Sequence, residues 1–299
     1  MELPQEGDRP RRGAAPDLGV APEAVAGRPA REAWTRRLWR AVPYAVVPLI
    51  LLVVWEAVGA LGIYREGLLP PPSRVARVWV DLVTGWSGLA GPYSATWLAH
   101  ALASTWRVFA GFGIAILVGV GLGLLIGLSP LVEKLFDPTI QLLRNIPVTA
   151  WVPLAILFFG IADPPAIFLI GLGAFFPAVV NTSQGARQVP LILIKAARMM
   201  GVTRAQLVLR VIFPATLPSI FTGIRLSMGI AWVLVVVAEM IAVKSGLGYL
   251  LLDAYYFFRT DVVIACMLSI GLLGFLSDRL ILAARHRLLA WTRKETLRG

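Results

Sequence analysis

Long apolar runs parted by short polar stretches dominate the chain from residue 43 onward. A bilayer core about 30 Å thick is crossed by about 20 apolar residues in a helix. On that measure six spans are expected: Pro43–Ile63, Val108–Leu128, Leu135–Gly160, Ala166–Gln184, Leu217–Val243 and Val262–Leu282. The third is interrupted by Arg144, Pro147 and Pro153, which a packed bundle tolerates because neighbouring helices satisfy the backbone groups that proline frees. Composition agrees: of 299 residues, 58% are hydrophobic and 15% charged, against about half and a quarter in soluble domains. The first apolar run begins only after Arg40 and is too long for the core of a cleavable signal, so it is retained as a span. Residues 1–40 are rich in Pro, Gly, Ala and charge; they cannot bury enough surface to fold alone and are expected to form a disordered cytoplasmic tail. The membrane domain is then 41–290, with 291–299 a second tail.

Charge sets the orientation. Cytoplasmic loops carry an excess of Lys and Arg. With the N-terminus inside, the cytoplasmic side receives Arg31, Arg36, Arg37 and Arg40, Lys134, the five basic residues of 187–210 and the six of 279–299. The outer loops hold Arg65, Arg74, Arg77, Lys244 and Arg259. Both termini are therefore expected in the cytoplasm. The net charge of +11 is accounted for by these loops and gives no ground for nucleic-acid binding.

Local patterns add detail. Gly119, Gly123 and Gly127 recur every fourth residue, a spacing that lets another helix approach closely. "LLPPPSRVARVWVDLV" predicts a short interfacial helix on the outer face, and "GYLLLDAYYFFRTD" a short aromatic element near an outer gate. Cys266 is the single cysteine and lies in an apolar run, so it reads as a packing residue. Glu56, Arg144, Arg225 and Glu239 fall inside spans, where a charge costs about 2.5–3.5 kcal/mol and is a functional candidate by default. Arg225 and Glu239 return to nearly one helix face about 21 Å apart along the axis, so they could line one translocation path; pairing with a neighbouring helix or a backbone carbonyl is the competing reading. His100 and His286 are the only histidines and suggest neither a metal cluster nor a catalytic triad.

"KAARMMGVTRAQLVLRVIFP", Lys195 to Pro214, is the unusual stretch: basic, without an acidic residue, and cytoplasmic by the charge rule. Pro190 suits a first helical turn and Gly201 interrupts. Thr203 can cap a second helix from Arg204, expected to stop before Pro214. A connection of this length is far above the 2–8 residues usual between bundle helices, which favours a docking corner for a cytoplasmic partner over a solvated loop.

The spacing also resembles the "EAA" signature of ABC importer permeases: Lys195-Ala196-Ala197, three residues to Gly201, nine more to Val211, then Phe213-Pro214. Lys195 replaces the signature's Glu and Phe213 its Leu. "LPPPSRV", "FDPTIQLLRNIPVTAWVPLAILFFGI", "FFPAVVNTSQG", "FPATLPSIFTGIRLSMGIAWVLVVVAEMI" and "GLGYLLLDAYYFFRTDVV" resemble the nitrate/sulfonate/taurine/bicarbonate branch of that family over about residues 43–290. The resemblance implies an all-α membrane protein of the type I, MetI-like arrangement, six spans and a coupling helix within 187–214. Its implied partners are two ATP-hydrolysing subunits, a second permease copy and an external substrate-binding protein, in a bacterial cytoplasmic membrane. Ala196, Ala197 and Gly201 would form the corner, Lys195 would stand where the signature has its Glu, and Pro214 would mark the return to the membrane. No cofactor is implied for this chain. Of its four lysines only Lys244 precedes a Ser, and Val243 stands where a P-loop needs Gly, so ATP must be hydrolysed by the partner. A gradient-driven transporter would be expected to show an internal repeat, and none is evident. A membrane anchor that recruits a partner without transport is a third class, and within the family itself a permease for a thiamine pyrimidine precursor stays open.

Overall fold

The computed structural model describes residues 46–62 and 68–289. The two tails, the start of the first expected span and Arg65 lie outside the described residues. By contacts the chain divides into residues 1–51 and 52–299, and the description below concerns the second unit, apart from the first turns of helix α1, Val46–Ala60.

All regular structure among the described residues is helical: α2 Pro72–Thr84, α3 Trp97–Leu128, α4 Pro130–Leu143, α5 Val152–Phe159, α6 Asp163–Arg187, α7 Leu191–Met199, α8 Arg204–Leu207, α9 Phe213–Ala242, α10 Leu247–Tyr256 and α11 Thr260–Leu288, with short 3-10 turns at Gly91–Tyr93 and Val148–Trp151. Among the described residues four helical stretches are long and apolar enough to cross a membrane: Trp97–Leu128, Asp163–Arg187, Arg204–Ala242 and Thr260–Leu288. A fifth is reached only by joining Pro130–Leu143 to Val148–Phe159, which meet at 87°. The interruption expected within Leu135–Gly160 is a full break between two helices. The pair starts earlier, behind a Ser129 N-cap with Pro130 in the first turn, and breaks at Arg144–Pro147 because the residue before a proline avoids helical geometry.

The glycine spacing sets the central packing. A Cβ on Gly119 would lie 2.8 Å from that of Ala178; on Gly123, 2.7 Å from Thr182 Cβ; on Gly127, 2.5 Å from Ala186 Cβ. Gly111 abuts Ile167 and Ile170 in the same way. Residue numbers rise together along both helices, so α3 and α6 are parallel over about 24 Å. The chain leaving α3 must therefore travel back along the pair before α6 begins, and the broken α4–α5 pair makes that return. On the other side of α6, Gly173 meets Leu234 while Gly185 meets Ser219, so α9 is antiparallel to it. Two clusters carry this core: Val108, Ala115, Ile170, Met228 and Val235 in one, and Val152, Ala166, Leu169 and Ala238 in another.

Helix α2 turns Val75, Val78 and Leu82 inward. Its exposed first turn is capped from α1, since the Ser73 N–H and hydroxyl donate to Glu56 at 3.0 and 2.8 Å. Its last turn holds Asp81, which accepts from Ser94 Oγ at 2.5 Å, Ser87 N at 2.6 Å, Gly88 N at 2.7 Å and Ala90 N at 2.8 Å. Trp79 and Trp97 both donate to Ser269 Oγ, at 2.9 and 2.8 Å, tying α2 and α3 to α11. Cys266 is fully buried among apolar neighbours.

Candidate functional site

The basic stretch folds as a corner. Helix α7 ends at Met199, and Gly201 makes the turn at φ +74°, a left-handed conformation in which a side chain is strained. Thr203 then caps α8 through a reciprocal pair: Gln206 N donates to Thr203 Oγ1 at 3.3 Å, and Thr203 N donates to Gln206 Oε1 at 2.9 Å. Both features match the expectation from spacing. The end of the second helix does not. It runs from Arg204 through a π turn at Val208–Ile212 into α9, 39 residues without interruption. Pro214 removes an N–H and crowds the preceding turn, and the widened turn, with Phe213 N donating to Val208 O, absorbs the disturbance. Pro214 therefore lies inside a helix and does not end one.

The corner has a small apolar base and a broad exposed rim. Ala197 is buried with Val189, Leu207 and Ile212. Lys195, Ala196, Arg198, Gly201 and Arg204 are exposed, as are Leu191, Ile192, Met199 and Met200, the last two 88% and 76% exposed. Long apolar side chains exposed together beside basic ones mark a surface of the kind that meets another protein or a membrane.

At the opposite end of α9 is a buried ion cluster that the sequence pattern did not reveal. Arg107 Nη1 donates to Glu239 Oε1 at 2.7 Å and to Ser245 O at 2.8 Å. Its Nε and Nη2 reach Asp163 Oδ1 at 2.9 and 2.7 Å. Glu239, 1% exposed, accepts at Oε2 from Ser104 Oγ at 2.8 Å and Gly248 N at 2.9 Å. His100 Nδ1 accepts from Gly246 N at 3.0 Å, a structural role. Gly246 sits at φ +109°, and a Cβ there would overlap the Glu239 carboxylate. Four segments, α3, α6, α9 and the turn into α10, thus meet on one guanidinium, every polar atom of which is satisfied as burial requires.

Arg225 and Glu239 do not share a lining. Arg225 faces α11 and pairs bidentately with Asp278, at 2.6 and 3.0 Å, while Glu239 faces α3. The spacing argument left them about 40° apart, and on a helix packed on several sides that offset selects different neighbours. Arg144 follows the end of α4 and is exposed. Among the described residues no group of three or more His, Cys, Asp or Glu could hold a metal. Among the described residues two groups outside the spans are perturbed: hydrogen bonds, first from the Ser94 hydroxyl, hold the Asp81 carboxyl well below the usual range, and burial, with the hydrogen bond to Asp253, pushes Tyr93 up to about 12.

Comparison with known proteins agrees with this architecture. Residues 115–289 match the family described as binding-protein-dependent transport system inner membrane component. The chain is 35% identical over 271 residues to a putative aliphatic sulfonates transport permease of Bacillus subtilis, covering 90% of this chain and 92% of that one. It is 36% identical over 259 residues to the taurine transport system permease of Escherichia coli, covering 86% and 93%, and 36% identical over 238 residues to the nitrate import permease of Synechocystis, covering 79% and 85%. Among solved structures, an inward-facing form of the MetNI methionine ABC transporter superposes with a TM-score of 0.51 at 19% identity, over 62% of this chain and 94% of that one, which shows the shared fold. The α3–α6–α9 core and the helical corner thus belong to a multi-pass permease subunit of an ABC importer, and the chain is a member of the binding-protein-dependent transport system inner membrane component family.

Proposed function

We propose that this chain carries a small oxyanion, an organic sulfonate or a nitrate-like ion, across the membrane by alternating access driven by ATP. The relatives named for sulfonate, taurine and nitrate transport, similar over 79% to 90% of the chain, support the substrate class. The observation that carries the mechanism is the exposed apolar and basic corner at one end of an unbroken 39-residue helix. One of the two ATPase subunits docks there, against the exposed Ala196 and Gly201 of the turn that the buried Ala197 supports, and closure of the ATPase pair moves α9 as a rod about 58 Å long. Lys195 forms no essential ion pair with them, because exposed pairs contribute about 0–1 kcal/mol. A second copy of the permease completes the path, an external binding protein delivers the substrate to the opposite end, and six spans leave both termini in the cytoplasm. Arg144 and Arg225 border grooves along α9, whereas Glu239 supports the path from behind.

The test is reconstitution in proteoliposomes with the ATPase and binding-protein partners, using taurine, methanesulfonate and nitrate. Uptake that requires ATP and binding protein is expected; uptake by this chain alone on an ion gradient refutes the proposal. Gly201→Trp should leave the protein in the membrane but abolish ATPase co-purification, whereas Lys195→Glu should be tolerated.

A further inference from the structure

Three arginines on the long helices are neutralised where they stand. Arg107 is held by Glu239 and Asp163, Arg187 by Glu133 at 2.7 Å and Asp137 at 3.5 Å, and Arg225 by Asp278. Arg144 differs: among the described residues it has no carboxylate within 4.0 Å and no side-chain hydrogen bond. It stands at the 87° break between α4 and α5 and opens onto a groove of about 580 Å³ bounded by the break, the middle of α6 and the middle of α9.

Each polar side chain lining that groove can donate a hydrogen bond. Besides Arg144 it contains Asn145, Thr149 and Asn181, and no acidic residue. Asn145 and Asn181 each place one amide N–H on a backbone oxygen, of Gln141 at 2.7 Å and of Pro177 at 2.8 Å, which leaves each a second N–H. The remaining wall is apolar, including Ile230 and Val233. A guanidinium keeps its charge at every pH a protein meets, and its planar fork matches the oxygens of an oxyanion. At the depth of the spans, without a counter-charge, it requires water or an anion.

We propose that Arg144 is the charge-reading residue of the translocation path: a monovalent oxyanion rests against its guanidinium while the Asn145 and Asn181 amides complete the hydrogen bonds. This rests on the transport reading above. Arg225, occupied by Asp278, is a strut between α9 and α11 and not an anion contact.

Two measurements on the assembled complex test this. The first needs no transport. Asn145→Cys is labelled with a sulfonate-bearing and a trimethylammonium-bearing methanethiosulfonate reagent; the one native thiol, Cys266, is fully buried. The anionic reagent should react faster, and Arg144→Gln should reduce that preference about 25-fold, since a unit charge about 4 Å away in water changes the rate of each reagent about fivefold in opposite directions. Absence of labelling, or an unchanged ratio, overturns the proposal. In the second, Arg144→Gln should lower methanesulfonate uptake about tenfold or more while ATPase co-purification and binding-protein-stimulated ATP hydrolysis persist, and Arg144→Lys should recover part of the uptake. Uptake by Arg144→Gln within about twofold of wild type, less than one hydrogen bond to a charged group is worth, overturns it. A wild-type complex that moves none of the three anions counts against the transport reading instead, and the labelling ratio still decides Arg144.

Discussion

Replacing Arg107 by Met tests what the buried ion cluster contributes. The substitution keeps much of the side-chain volume and deletes three sets of hydrogen bonds. Asp163, 50% exposed, is rehydrated at little cost; Glu239, 1% exposed, keeps only Ser104 and Gly248 as donors. Removing one member of a buried pair costs about 3–5 kcal/mol, because the other charge is left uncompensated. With a melting-temperature shift of about 2 °C per kcal/mol for a chain of this size, Arg107→Met should melt about 6–10 °C below wild type in detergent. Fluorescence-detected size exclusion after a temperature series measures this. The double variant Arg107→Met/Glu239→Gln removes the orphaned charge and keeps an oxygen for Gly248 N to donate to, so it should return to within about 1–2 kcal/mol of wild type. A double variant as unstable as the single one would refute the argument, since the cost would then come from lost packing.

Other expectations follow from single contacts. Gly123→Leu forces α3 off Thr182 and Val179 and should cost about 1–3 kcal/mol or prevent folding, whereas Gly121→Ala, with open space beside it, should express and melt like wild type. Asp81 has a lowered folded-state pKa, so its contribution is intact at neutral pH and is lost as pH falls below about 4; Asp81→Asn should flatten the acid limb of a melting-temperature profile between pH 3 and 7. Gly201→Val should loosen the corner by about 1–2 kcal/mol, and Gly201→Asn by less, read as ATPase affinity in a pull-down titration.

The apolar runs, the Thr203 cap, the Gly201 turn and the four-residue glycine spacing were legible in the sequence because each is a local signal whose partner lies within one turn or one face. Arg107 was not. It stands at the edge of an apolar run, and its partners are 132 and 56 residues away. Two hints existed: Ser104 lies one turn before it, and a carboxylate such as Glu239 within a span demands a cation. Asp278 was hidden in the same way, 53 residues from Arg225. The prolines at 147 and 153 announced an irregularity but not an 87° break, because the angle is set by the parallel pairing of α3 with α6, a long-range fact. Pro214 misled for the opposite reason: a strong local rule was overridden by a helix that widened by one residue.

That widened turn has a consequence for sequence length. Leu207 and Ile212 share the buried base of the corner, five positions apart. In a regular α-helix such residues point about 140° apart; the i to i+5 bonding of the π turn brings them onto one side. Losing one residue between them would make the pair i and i+4, again neighbours on a regular helix, so the corner would keep its orientation relative to α9. Gaining one would turn the corner out of phase. The junction therefore tolerates deletion and resists insertion.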